Sequence, residues 1–220
     1  MTLSKGSMMT EEISKKISEI LLGINAIKLS PQNPFTWASG WKSPIYCDNR
    51  KSLSFPEART VIKNSLGKMV KEKFNGVEAI AGVATAGIPQ GVLVADLLHL
   101  PFIYVRSKPK GHGLENLIEG NILPGQKVVV IEDLISTGGS SIQATMALKN
   151  AGIDVMGLIA IFTYQFPQAD VNFTKEHITF YALSNYTTLI EVALEKNLIE
   201  QSDVKMLNAW RQEPENWGKP

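Results

Sequence analysis

Two adjacent carboxylates, Glu132 and Asp133, stand just ahead of a run of small hydroxyl and glycine residues, Ser136-Thr137-Gly138-Gly139-Ser140. These residue types in this order suit a ligand with two unlike ends. Glycines let backbone close around an anion and hydroxyls add donors. Where such a turn opens a helix, free N–H groups and the positive end of the dipole also point outward, which makes a phosphate site. Carboxylates repel phosphate but accept strong hydrogen bonds from paired hydroxyls, such as the vicinal diol of a ribose. Sugar and 5′-phosphate can then lie along one loop. The spacing disfavours other phosphate loops: no Lys follows Gly139 as a Walker loop requires, and no G-x-G-x-x-G is present. The plainer alternative is that Asp133 or Ser136 only caps the next helix.

A second cluster is basic. Arg106, Lys108, Lys110 and His112 fall on alternate positions, and Pro109, Gly111 and Gly113 forbid regular structure between them. The stretch from Ser107 to about Asn121 is long for a connection, which marks a solvated surface loop or a functional lid. Beside a phosphate loop, a basic lid has an anion to close on. A third stretch, Thr85-Ala86-Gly87, has so little side-chain bulk that its backbone can approach a pyrophosphate. Phe35, Trp37, Trp41 and Tyr46, set among Pro31, Pro34 and Pro44, could stack on a planar base, although aromatics beside prolines more often pack a small subdomain. His99 and His177 read as helix-end and strand-end residues.

These groups need elements to hold them. Val128 to Ile131 reads as a strand buried on both faces, with the chain turning at the carboxylates; Ile142, Met146 and Leu148 follow at helical spacing. Glu78–Val83, the small-residue turn and Ile88–His99 repeat the strand, turn and helix pattern. Two such units imply parallel strands whose C-terminal ends share one crevice. Pro101–Val105, Asp154–Tyr164 and Ile178–Ala182 are further strands. Helices are expected from Thr10 to about Asn25, from a capping box at Ser54-Phe-Pro-Glu57 to about Phe74, from Asn185 or Thr187 through Leu198, and from Val204 to Trp210. A Pro- and Trp-containing tail then packs back on the surface. The fold class is α/β: a central, mostly parallel sheet with helices on both faces, plus a small N-terminal hood subdomain. The expected division is residues 1–50 for the N-terminal helix and hood, and 51–220 for the core with the C-terminal helices.

Composition narrows the function classes. Lys plus Arg number 22 and Asp plus Glu 21, so the net charge of +1 gives no general attraction to nucleic acid or anionic membrane, and neither is an expected partner. A single cysteine, Cys47, excludes an intrachain disulfide and a cysteine metal cluster. No apolar run is long enough to span a bilayer and the N-terminus shows no signal-peptide stretch, which fits a cytoplasmic protein. Residues 1–9 read as a polar tail.

The order of strand, Glu-Asp and Ser-Thr-Gly-Gly-Ser resembles the phosphoribosyl pyrophosphate (PRPP) motif of the type I phosphoribosyltransferases. Together with Pro34-Phe-Thr-Trp-Ala-Ser-Gly-Trp-Lys-Ser-Pro-Ile-Tyr46 and Arg106-Ser-Lys-Pro-Lys-Gly-His-Gly113, the chain from about Pro31 to Glu195 is similar to the orotate phosphoribosyltransferase family. The basic loop discriminates most, because purine phosphoribosyltransferases share the PRPP loop but not R-x-x-x-K-x-H. The resemblance implies transfer of the phosphoribosyl group of PRPP to orotate, giving orotidine 5′-monophosphate and pyrophosphate in pyrimidine (UMP) biosynthesis. It also implies Mg²⁺ bound mainly through PRPP and pyrophosphate, with no protein metal ligands assigned, and a homodimer whose basic loops close over each other's sites.

By the same resemblance, Glu132, Asp133, Leu134, Ile135, Ser136, Thr137, Gly138, Gly139 and Ser140 bind PRPP. Arg106, Lys110 and His112 neutralise its pyrophosphate, Ser136 also touches orotate, and Lys110, His112, Arg106 and Asp133 are the catalytic set. The chain departs from some relatives in carrying Ala38, Ala86 and Ser107 where they have basic residues, with Lys42 near the first. Two alternatives are a phosphoribosyltransferase for another base and a non-catalytic PRPP-sensing regulator, which would need an added nucleic-acid surface.

Overall fold

In the computed structural model, residues 5–37, 39–108 and 117–217 are described. In chain order, helix α1 (Lys5–Gly23) leads into four short strands, β1 (Ile27–Leu29), β2 (Phe35–Thr36), β3 (Lys42–Ser43) and β4 (Ile45–Cys47). A 3-10 turn (Asn49–Ser54) and α2 (Pro56–Lys73) follow. The remaining strands are β5 (Ala79–Val83), β6 (Phe102–Val105), β7 (Ile118–Glu119), β8 (Lys127–Ile135), β9 (Asp154–Thr163) and β10 (Phe180–Asn185). Between and after them run α3 (Gly87–Leu98), α4 (Gly139–Asn150), α5 (Pro167–Lys175), α6 (Tyr186–Glu195) and α7 (Val204–Gln212).

Six strands form one sheet in the order β10-β9-β8-β5-β6-β7, parallel throughout except for the antiparallel edge strand β7. The chain leaves β5 toward β6 on one side and leaves β8 toward β9 and β10 on the other. The C-terminal ends of β5 and β8 are therefore the switch point at which crossovers diverge, the place where open α/β sheets leave a crevice for ligand. Both faces are covered, which is why β8 is an unbroken apolar run rather than an alternating one. Val129 and Ile131 pack into a core with Ile17 and Leu21 of α1, Ile62 and Leu66 of α2, Val94 of α3 and Leu189 of α6. Val128 and Val130 face the other way, onto Ala144 and Leu148 of α4 and Phe173 of α5.

The N-terminal segment forms two small antiparallel pairs, β1 with β4 and β2 with β3. Its apolar side chains Ile27 and Ile45 join the same core as the sheet. Trp37 decides between the two readings of the aromatic cluster at its own position: it packs edge-on against buried Trp210 at 5.8 Å between ring centres, and 5.3 Å from Tyr164. The pair Phe35 and Tyr46, 5.8 Å apart, lies nearer solvent, with Tyr46 exposed.

Several expected boundaries moved. The strand through Val128–Ile131 continues past the carboxylates to Ile135, because β9 pairs with it all the way, Ile135 opposite Thr163. The capping box at Ser54 does not form: Phe55 is the N-cap of α2 and makes no side-chain cap, while Pro56, which has no N–H to leave unsatisfied, starts the helix. Helix α1 starts earlier than Thr10. Asn185, not Thr187, caps α6, its side chain accepting from the Thr188 N–H at 3.0 Å. His177 follows α5 in the left-handed region, at φ 50°, and so is a helix-end residue instead of a strand-end one.

Candidate active site

At the switch point lies a cavity of about 320 Å³ lined by Ala84, Thr85 and Ala86 from the end of β5, by Glu132, Asp133 and Leu134 from β8, and by residues 136 to 141 around the start of α4. The two small-residue turns expected to share a crevice do face one another. Their approach depends on glycine. A Cβ on Gly87 would sit 2.5 Å from the carbonyl oxygen of Ile131, so any side chain there would push α3 off β8.

The second turn is built to leave its donors free. Gly138 is the N-cap of α4 in the left-handed region, at φ +84°, and no side chain caps the helix. The alternative in which Asp133 or Ser136 only caps the helix is therefore not what the chain does. The first helical bond runs from the Ile142 N–H to the Gly138 carbonyl at 2.9 Å, so the N–H groups of Gly139, Ser140 and Ser141 precede the ladder. Behind the loop, Asn172 donates to the Thr137 carbonyl at 2.9 Å and fixes its outer side.

The carboxylates differ from each other. Glu132 is buried, and both its oxygens are engaged: Oε1 accepts from the Asp133 N–H at 2.9 Å and Oε2 from the Ser141 hydroxyl at 3.0 Å. Burial, then the neighbouring Asp133 charge, pushes its pKa well above the ordinary 4.5. Asp133 is only half-buried, and it has no ion-pair partner among the described residues. Desolvation raises its pKa too. An under-compensated carboxylate in a crevice is ready to accept hydrogen bonds or to meet a cation.

Other anticipated residues fall elsewhere. Ile135 is fully buried in the core, its carbonyl accepting from the Tyr164 N–H at 3.1 Å, and does not line the cavity. Arg106 is half-buried and engaged by Glu119 on the edge strand, 3.4 Å apart. Lys110 and His112, like Ala38, lie outside the described residues. Cys47 is half-buried near Asp133, and desolvation followed by the charges of Asp133 and Asp48 holds its thiol well up, so it stays protonated and unreactive. Two further residues, without a signal of their own in the sequence, hold the carboxylate pair. Ser141 carries Glu132, and Asn49 donates to the Asp133 carbonyl at 2.7 Å.

The phosphoribosyl transferase domain family matches residues 54–186. An orotate phosphoribosyltransferase of Porphyromonas gingivalis is 56% identical over 206 residues, spanning 94% of this chain and 98% of that protein. The chain belongs to the orotate phosphoribosyltransferase family. Within that family, the Bacteroides fragilis member is 55% identical over 207 residues, again covering 94% of this chain and 98% of its own length. The fold agrees. The crystal structure of the Aeropyrum pernix orotate phosphoribosyltransferase superposes with a TM-score of 0.73 over 84% of this chain and 99% of that one, at 24% identity. The family match takes in both small-residue turns, the acidic pair and the basic loop.

Proposed function

We propose that this chain transfers the phosphoribosyl group of PRPP to orotate, forming orotidine 5′-monophosphate and pyrophosphate. The observation that carries the reading is the crevice itself: two carboxylates, an uncapped glycine turn and a second small-residue turn meet around one cavity of about 320 Å³. Near-full-length identity to orotate phosphoribosyltransferases supports orotate as the base.

In this reading the ribose diol donates to Asp133, the more accessible carboxylate, with Glu132 behind it. The 5′-phosphate sits on the N–H groups and hydroxyls of Ser136, Thr137, Gly138, Gly139 and Ser140, with Leu134 alongside. The pyrophosphate lies toward Thr85-Ala86-Gly87, and Ser136 also touches orotate. Bond breaking at ribose carbon 1 leaves positive charge on the sugar and several negative charges on the departing pyrophosphate. Arg106, Lys110 and His112 serve the second charge, Arg106 by exchanging Glu119 for the pyrophosphate. The attacking group is the ring nitrogen of orotate, so no covalent nucleophile is needed.

Among the described residues no group of three or more His, Cys, Asp or Glu side chains forms a metal cage. The half-buried Asp133 carboxylate, with no ion-pair partner among the described residues, fits a divalent ion held mainly by substrate oxygens. Mg²⁺ bound there supplies charge neutralisation to the pyrophosphate. A homodimer that shares the basic loops completes the proposal. No helix among the described residues is long and apolar enough to cross a membrane.

Mixing the protein with PRPP, Mg²⁺ and each candidate base while following base absorbance tests the reading. Loss of orotate absorbance alone is expected. Consumption of another base would reassign the substrate, and no consumption of any base would make the chain a PRPP-binding regulator.

A further inference from the structure

Strand β5 stops at Val83, and its last pair with β8 sets Gly82 against Ile131. Beyond that point the side of β8 that faced β5 has no ladder to satisfy it, and Asp133 is the next residue on that side. Its backbone groups are instead held by side chains. The Asp133 N–H donates to Glu132 Oε1 at 2.9 Å, and its carbonyl accepts from Asn49 Nδ2 at 2.7 Å. Asn49 comes from the 3-10 turn after β4, 84 residues away in sequence.

Asn49 is itself locked. It is 1% exposed, its Oδ1 accepts from the Cys47 thiol at 3.4 Å, and its backbone carbonyl accepts from the Ser52 hydroxyl at 2.7 Å. Ser52, fully buried, accepts from Gln90 Nε2 at 3.3 Å. Gln90 is also buried and lies one turn into α3, the helix that starts at the opposite ligand turn. The Ser52 proton is committed to Asn49, which fixes Gln90 as donor, and Gln90 Oε1 has no protein partner among the described residues. Burying so many polar groups is costly unless the frame they build is needed.

We infer that Asn49 is a positioning residue for Asp133. It replaces the missing β5 neighbour, holds the carboxylate-bearing backbone at the angle a sugar diol requires, and through Ser52 and Gln90 ties that backbone to the pyrophosphate turn. The inference rests on the PRPP reading of the crevice. It adds a residue from outside both ligand turns, supplied by the N-terminal segment.

Calorimetric titration of the full chain with PRPP and Mg²⁺ provides the test, run on the wild type, Asn49→Ala, Asp133→Asn and the double variant, with melting curves alongside to correct for folded fraction. Asn49→Ala is expected to weaken PRPP about tenfold, the scale of one buried hydrogen bond. In the Asp133→Asn background the same change is expected to cost less than about twofold, because the group it positions is already impaired. If Asn49→Ala does not fold, Asn49→Asp keeps the shape but turns an acceptor toward the Asp133 carbonyl, and is expected to lose at least as much. Affinity within about twofold of wild type, or an equal loss in both backgrounds, would overturn the inference, since a merely structural role is indifferent to residue 133. A wild-type chain that does not bind PRPP would instead overturn the functional reading beneath it.

Discussion

Asp133→Asn separates binding from stability by sending them in opposite directions. In the proposed complex the ionised carboxylate accepts from two ribose hydroxyls. The amide keeps one acceptor oxygen, loses the charge, and turns an NH₂ donor toward the second hydroxyl. Charge-assisted hydrogen bonds contribute about 1.5–3 kcal/mol each, so losing one and weakening the other costs about 3–4 kcal/mol. At about 1.4 kcal/mol per decade, that is a fall of roughly a hundred- to a thousandfold in kcat/KM for PRPP. The free protein should not suffer. Burial holds the Asp133 carboxyl above its ordinary 3.8, and it sits beside buried Glu132, whose own pKa its charge pushes up. A neutral isostere removes that repulsion, so the melting temperature should stay level or rise. Steady-state rates at varied PRPP, followed by orotate absorbance, together with differential scanning fluorimetry, measure both. A variant that keeps activity within threefold, or that loses activity only because it has unfolded, would refute the reasoning.

Glu132→Gln should flatten the pH dependence of apo-protein stability. Its folded pKa is raised, so the native state keeps a proton that the unfolded state has lost, and stability falls as pH rises from about 4.5 through the raised value. Melting curves from pH 4.5 to 8 should show the variant gaining on the wild type as pH rises; parallel curves would show Glu132 to be unperturbed. Gly138→Ala places a Cβ 2.5 Å from Phe173 Cε2 at φ +84°. Left-handed strain and overpacking together should cost about 2–4 kcal/mol, read as a melting temperature lower by roughly 5–15 °C, and an unchanged value would mean that the loop relaxes freely. Lys110→Ala should lower turnover about a hundredfold while leaving chemical-denaturation stability within about half a kcal/mol; near-normal turnover would reduce Lys110 to a surface charge.

Much of the site was legible in the sequence because its parts are local. The carboxylates, hydroxyls and glycines of residues 132–140 follow one another along the chain, so their types and order suffice to suggest a sugar phosphate, and the V-V-V-I run shows that the strand beneath them is covered on both faces. What stayed hidden depends on distant residues. Asn49 reaches Asp133 across 84 positions, and nothing around Asp48-Asn49-Arg50 marks it. The full length of β8 is not legible locally, because Glu-Asp reads as a strand terminator, whereas pairing with β9 overrides that local preference through Ile135. Strands β1 to β4 are two or three residues each among prolines, too short to show a period. The aromatic cluster likewise divided on a tertiary contact, since Trp37 is drawn inward by Trp210, 173 positions later.

The most direct test is a crystal structure of the chain with PRPP and Mg²⁺. The ribose hydroxyls should lie within hydrogen-bonding distance of Asp133, with the 5′-phosphate over the N–H groups of residues 137–140 and the pyrophosphate toward Thr85-Ala86-Gly87. PRPP bound away from the ends of β5 and β8, or bound there with its phosphate turned from the α4 N-terminus, would contradict the assignment of this crevice.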